Sequence, residues 1–216
     1  MSASFQGSLF GDCVQGGPIG PLPLSDGLQR TDLGSGAWID LRPGWVRGAD
    51  ELFAELLTAV PWAPERRRMY DRVVDVPRLA ARYERGVALP HPVVQRIKDA
   101  LDARYAPEFG EGFASAGLAL YRDGRDSVAW HGDVFGRERS TDTMVAIVVL
   151  GPARPFLLRP RSGHAPPGPT RHHSLGHGDL IVMGGSCQRT WQHCVPKSAR
   201  AAGPRISIQF RTSEAG

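Results

Sequence analysis

The sequence predicts an α+β chain that is mostly β, with helices at its N-terminal side and a closed arrangement of short strands behind them. Three observations carry this. Two segments place apolar residues at helical spacing, and both precede residue 104. After Pro107 about eight short strand-like segments follow, separated by Gly, Pro and Asp, with no helical pattern between them. A length of 216 residues suits one domain with an appended arm. Many short strands without crossover helices point to a sandwich, a barrel or a double-sheet jelly roll, with the helices packed outside it. The expected boundaries are an N-terminal arm over residues 1–35 and a single domain over 36–216. Within that domain, 36–115 holds the helices and 116–212 the strand core.

The arm is rich in Gly, Pro and Ser, as in the stretch from Gly16 to Gly27, which favours irregular chain. Ala37–Leu41 has the composition of a short strand. Ala49–Val60 is amphipathic, with Asp50 and Glu51 in its first turn and Pro61 to end it. A second helix is expected from about Pro92 to Ala103, with Val93, Val94, Ile97 and Leu101 on one face. The expected strands are Gly117–Tyr121, Val128–His131, Thr143–Leu150, Pro155–Leu158, Ser174–Leu175, Asp179–Met183, Thr190–His193 and Arg205–Phe210. Residues 159–173 read as a flexible basic loop.

Composition removes several classes. Hydrophobic content of 41% and charged content of 22% are those of an ordinary soluble protein. No apolar run approaches the roughly 20 residues of a membrane span, and the N-terminus lacks the pattern of a secretory signal. Three cysteines form no disulfide framework, so a cytoplasmic monomer is expected. The net charge is +4, and lysine occurs only at Lys98 and Lys197. Arginine suits phosphate recognition. The same composition also fits a GC-rich genome, so charge alone names no partner.

The chemistry lies in His131-Gly132-Asp133, in His193 and in the strand from Arg205 to Arg211. On an extended segment His131 and Asp133 point the same way, so both can face one ion. Gly132 lets the backbone approach closely. Two imidazoles and one carboxylate, with open positions left over, suit a non-haem Fe(II) centre. From Arg205 to Arg211 the residues alternate. Ile206, Ile208 and Phe210 share one face, and Arg205, Ser207, Gln209 and Arg211 share the other. A polar face of that kind, turned into a cavity, would bind a dicarboxylate.

An ordered series of segments resembles the AlkB family of Fe(II)/2-oxoglutarate-dependent dioxygenases. It comprises Leu120–Gly124, Trp130–Asp133, Leu150-Gly151, His177–Met183, Trp191–Pro196 and Pro204–Arg211. The resemblance covers about residues 117–212. It implies a double-stranded β-helix (jelly roll) and oxidative demethylation of N-alkylated bases in DNA or RNA. In that reaction 2-oxoglutarate and O2 are consumed, and the methyl group is hydroxylated and lost as formaldehyde. It implies His131, Asp133 and His193 as ligands to Fe(II). It implies that Arg205 pairs with the distal carboxylate of 2-oxoglutarate, that Tyr121 bonds the same molecule, and that Ser207 and Arg211 lie beside it. Arg68–Asp71 and Pro77–Leu79 resemble a base-recognition lid, which makes Met69 and Tyr70, with Trp191 beside the metal, the candidate substrate contacts.

Two departures stand out. Ala119 occupies a position where the family often has Asn, and Val134-Phe135-Gly136 replaces an acidic residue that meets the damaged base; Glu138 is the nearest acidic residue in that loop. In the arm, Gln6–Phe10 resembles the short peptides that dock on bacterial sliding clamps. Two alternatives remain: a 2-oxoglutarate-dependent hydroxylase of a protein or small molecule, and a metal-free nucleic-acid-binding jelly roll.

Overall fold

The computed structural model describes residues 17–69, 72–133, 141–199 and 203–212, with backbone alone over 66–69 and 72–75. Four strands and a helix open the described chain: β1 (Gly20–Pro21), β2 (Gln29–Gly34), β3 (Ala37–Arg42), β4 (Val46–Arg47) and α1 (Ala49–Ala59). A hairpin of β5 (Ala63–Met69) and β6 (Arg72–Tyr83) precedes α2 (Pro92–Phe109). The strand block runs β7 (Ser115–Tyr121), β8 (Val128–His131), β9 (Val145–Leu150), β10 (Arg154–Pro160), β11 (Arg171–Leu175) and β12 (Leu180–Gly185). It closes with the one-turn α3 (Cys187–Thr190), then β13 (Trp191–Val195) and β14 (Arg205–Arg211).

Two antiparallel sheets face each other as a jelly roll. The larger has the order β2-β3-β12-β9-β14-β7-β6-β5 and the smaller β11-β10-β13-β8. The alternation in β14 decides what each face meets. Ile206, Ile208 and Phe210 join Val148 and Leu150 in a core that also takes Leu52 and Leu56 of α1 and Val94, Ile97 and Leu101 of α2. The helices therefore cover the outer face of the large sheet. Each fully buried aliphatic side chain there contributes about 1.5–3 kcal/mol. A second core, with Ile147, Val149, Phe156, Leu158, Ile181 and Trp191, fills the space between the sheets.

The helices follow the sequence signals, with one extension. In α1, Leu52 and Leu56 are buried one turn apart. In α2 the ring of His91 caps the start by accepting from Val93 N, and the helix runs past Ala103 and through Pro107 to Gly110, whose φ is 91°. Pro107 has no N–H to give the Ala103 carbonyl, and the helix ends two residues beyond it.

Three expectations need correction. The arm boundary at residue 35 falls inside the sheet, because Gln29–Gly34 is edge strand β2, paired with β3. Its anchor is electrostatic. Arg30 forks onto the fully buried Asp40 at 2.7 and 2.8 Å, and Tyr105 of α2 donates to the same carboxylate at 2.9 Å. Only Leu33 of β2 is buried, so hydrophobic pattern gave no sign of it. Second, residues 159–173 are not one loop: β10 runs to Pro160 and β11 begins at Arg171, the two pairing from Arg154↔Leu175 to Leu158↔Arg171. Third, β5 and β6 extend the large sheet beyond β7, where the sequence reading assigned no strand. The Gln6–Phe10 peptide, Tyr70 and Val134–Gly136, with Glu138, lie outside the described residues. Among the described residues no helix is long and apolar enough to cross a membrane.

Candidate active site

β8 and β13 are neighbours in the small sheet, and their register sets His131 opposite His193. Their rings lie 4.2 Å apart, centroid to centroid. Asp133 follows just past the end of β8 and turns its carboxylate between them, 3.7 Å from His131 Nε2 and 3.9 Å from His193 Nε2. One ligand atom from each of the three lies within 4.8 Å of the others. This is the geometry a single small cation needs.

The protonation states suit a metal. His131 Nδ1 lies 2.8 Å from the Ala129 carbonyl, which can only accept, so Nδ1 is the donor there and Nε2 is the nitrogen turned to the cluster. Burial, aided by His131, pushes the His193 pKa down to about 3, leaving that ring neutral. Asp133 is buried too, which opposes ionisation, but Arg211, His131 and His193 together hold its carboxyl well below the usual range. Two imidazole nitrogens and one carboxylate oxygen match the donor preference of Fe(II). Phe156 stacks on His193 at 5.4 Å and fixes its ring.

Between the sheets a cavity leads from these three residues to the polar face of β14. Arg205, Ser207 and Arg211 lie on its wall, with Tyr121 contributed by β7 opposite Arg205. Arg211 approaches both Asp133 oxygens at 3.4 Å and donates to Gln209 Oε1 at 2.9 Å. Gln209 in turn donates to Ser207 Oγ at 3.3 Å. Arg205 is the anomaly. It is 1% exposed, and its Nε and Nη1 have no hydrogen-bond partner among the described residues. Burial draws its pKa below the ordinary arginine value. A buried guanidinium with idle donors is costly unless a carboxylate reaches it, so the donors at this end of the cavity suit the far carboxylate of a dicarboxylate.

Other residues fall as follows. Trp191 lies two residues before His193, buried among the residues between the sheets, with no partner for its indole Nε1 among the described residues. Ala119 lies in that same apolar cluster and offers the cavity no hydrogen bond. Met69 ends β5, and nothing of its side chain is described. Three polar residues escaped the sequence reading as parts of this site. Arg78, on β6, lines the cavity and donates to the Tyr121 hydroxyl at 3.4 Å. Arg154, 2% exposed, donates to the carbonyls of Asp123, Asp126 and Pro196, tying the turn after Tyr121 to the chain beyond β13. Gln188 of α3 accepts the Asp133 amide. Only Arg78 carried a signal, as part of the lid-like Pro77–Leu79.

The fold and these donors define a class. The chain belongs to the 2OG-Fe(II) oxygenase superfamily, whose family model matches residues 78–211. Within it the similarity is to AlkB homologues. The chain is 32% identical over 196 residues to the alpha-ketoglutarate-dependent dioxygenase alkB homolog 3 of Bos taurus, covering 80% of this chain and 65% of that protein. It is 34% identical over 137 residues to the DNA oxidative demethylase ALKBH2 of Arabidopsis thaliana, covering 53% of this chain and 42% of the relative. The chain thus spans less than two thirds of these relatives' length. A 2OG-Fe(II) oxygenase family oxidoreductase from Burkholderia pseudomallei shares the fold, with a TM-score of 0.54 at 15% identity over 88% of this chain and 87% of that one.

Proposed function

We propose that the protein is an Fe(II)/2-oxoglutarate-dependent dioxygenase that demethylates N-alkylated bases in DNA, and in RNA where the base is accessible. The observation that carries this is the buried, idle guanidinium of Arg205 at one end of a cavity whose other end is the His131–Asp133–His193 cluster. The names of the relatives supply the substrate class, and the net charge of +4 agrees with a polyanion.

His131, Asp133 and His193 would hold the iron, which with 2-oxoglutarate supplies the oxidation of the methyl group by O2. Arg205 anchors the distal carboxylate, Tyr121 and Ser207 offer it hydroxyls, and Arg211 steadies Asp133 at the proximal end. A base stacked within a duplex cannot reach a buried cluster, so it is flipped out or taken from a single strand. Trp191, two residues before His193, and Met69 and Tyr70 are the proposed contacts to the base.

The test is an aerobic incubation with Fe(II), 2-oxoglutarate and single-stranded oligonucleotides bearing 1-methyladenine or 3-methylcytosine, read by mass. Loss of one methyl per lesion, with matching succinate and formaldehyde, is expected. Succinate without demethylation would overturn the substrate and leave the cosubstrate standing, which is the result the protein or small-molecule hydroxylase requires.

The working form is a cytoplasmic monomer, in keeping with Cys187 and Cys194, both buried and unpaired. Gln6–Phe10 docks on a sliding clamp, its Leu9 and Phe10 filling an apolar groove. A doubly substituted Leu9→Ala, Phe10→Ala chain should lose clamp binding in a pull-down. Undiminished capture would remove the idea.

A further inference from the structure

The ladder between β8 and β13 ends at the His131–His193 pair. Gly132 and Asp133 lie beyond it, so no strand pairing holds the one anionic ligand in place. Arg211 reaches its carboxylate, and what holds its backbone is α3. This turn occupies four residues and has no helical period in its sequence, but it is tied down on several sides. Ser186 Oγ donates to the Ser35 carbonyl at 2.7 Å, and the Ser186 amide donates to Gly36 at 3.2 Å. Thr190 Oγ1 donates back to the Ser186 carbonyl at 2.9 Å, and Arg189 pairs with Asp142. The turn is thereby fixed to the β2–β3 turn of the large sheet.

Two consecutive residues of the metal-binding stretch rest on this turn. The Asp133 amide donates to Gln188 Oε1 at 3.0 Å. A Cβ on Gly132 would lie 2.3 Å from the Gln188 carbonyl oxygen and 3.3 Å from that of Trp191, so any side chain there would lift the strand off its seat. Gln188 is 1% exposed, and its Nε2 has no partner among the described residues. A buried amide with idle donors is unfavourable for stability. Turning the amide over would set its NH2 against the Asp133 N–H, so the orientation is dictated by the ligand residue.

We propose that Gln188 is the positioning residue of the metal site: from its seat on α3 it sets the Asp133 carboxylate through the backbone. The inference rests on the metal-site reading given above. It concerns how the ligand is held, so it is tested on metal binding.

The full-length protein and a Gln188→Met variant, which keeps the bulk and loses the acceptor, would be titrated anaerobically with Fe(II) and with Co(II), following the metal's own absorption. The variant should bind either metal about 10–100-fold more weakly, the range found when outer partners of metal ligands are removed. Its affinity for 2-oxoglutarate without metal should match wild type, since Arg205 is untouched. Independently of any variant, the Asp133 amide of the folded wild-type protein should be protected from hydrogen exchange by NMR. Wild-type metal affinity in Gln188→Met, or an Asp133 amide that exchanges at the rate of open chain, would overturn the inference. Failure of the wild-type protein itself to bind metal would remove the metal-site reading, and this inference with it.

Discussion

An Arg205→Met variant should lose 2-oxoglutarate and keep its fold. Hydrogen bonds to a charged group are worth about 1.5–3 kcal/mol each, and Arg205 has two idle donors to give a carboxylate. Losing both weakens binding by about 3–6 kcal/mol, on the order of 10²–10⁴-fold. The sign on stability runs the other way. Without ligand the guanidinium is buried, its charge disfavoured by the surroundings, and two of its donors unused. An apolar side chain of similar length removes that cost, so the ligand-free variant should unfold at the same temperature as wild type or higher. Ligand at a hundred times its dissociation constant stabilises by about 2.7 kcal/mol. Wild type should show that shift in thermal unfolding with 2-oxoglutarate, and Arg205→Met should show none. Arg205→Lys keeps the charge but not the fork, and should fall between them. If the methionine variant keeps the full shift, Arg205 is not the anchor.

What the sequence made legible, and what it hid, divides along a physical line. Period-2 alternation in β14 separated Ile206, Ile208 and Phe210 from Arg205, Ser207, Gln209 and Arg211, and the two sets do face the helices and the cavity. Alternation is a local property of the backbone, so a single strand reveals it. The amphipathic pattern of α1 and α2 was visible for the same reason. The hidden features depend on partners distant in sequence. Gln188 meets Asp133 across 55 positions, and Tyr105 meets Asp40 across 65. Arg154 is buried because three carbonyls from two distant segments converge on it. Nothing in the residues around an arginine says that it will be buried. The same holds for β2, an edge strand anchored by Arg30 on the buried Asp40 and on Glu108 and not by an apolar face.

Asp133→Asn should produce the opposite signature to Arg205→Met, and the contrast tests the electrostatic logic of the whole cavity. Among the described residues that line the cavity Asp133 is the one carboxylate, and the other polar groups there include Arg78, Arg205 and Arg211. It is 5% exposed, and its carboxyl is held ionised against burial by Arg211 and the histidines. Asparagine keeps the shape and removes the charge. Among the described residues Arg211 then has no ion-pair partner, and breaking a buried pair in this way costs about 3–5 kcal/mol. The ligand-free Asn variant should therefore be less stable than wild type in denaturant. Metal binding should fall furthest here, because the ion loses its only anionic donor and keeps two nitrogens. An iron held there would contribute several kcal/mol to the proposed reaction, so the demethylation proposed above should drop on the order of 10³-fold or more. Adding Fe(II) should raise the unfolding midpoint of wild type and leave that of Asp133→Asn unmoved. An Asn variant that is as stable as wild type without metal, yet inactive, would mean that Arg211 is neutralised by another group and that Asp133 serves the metal alone.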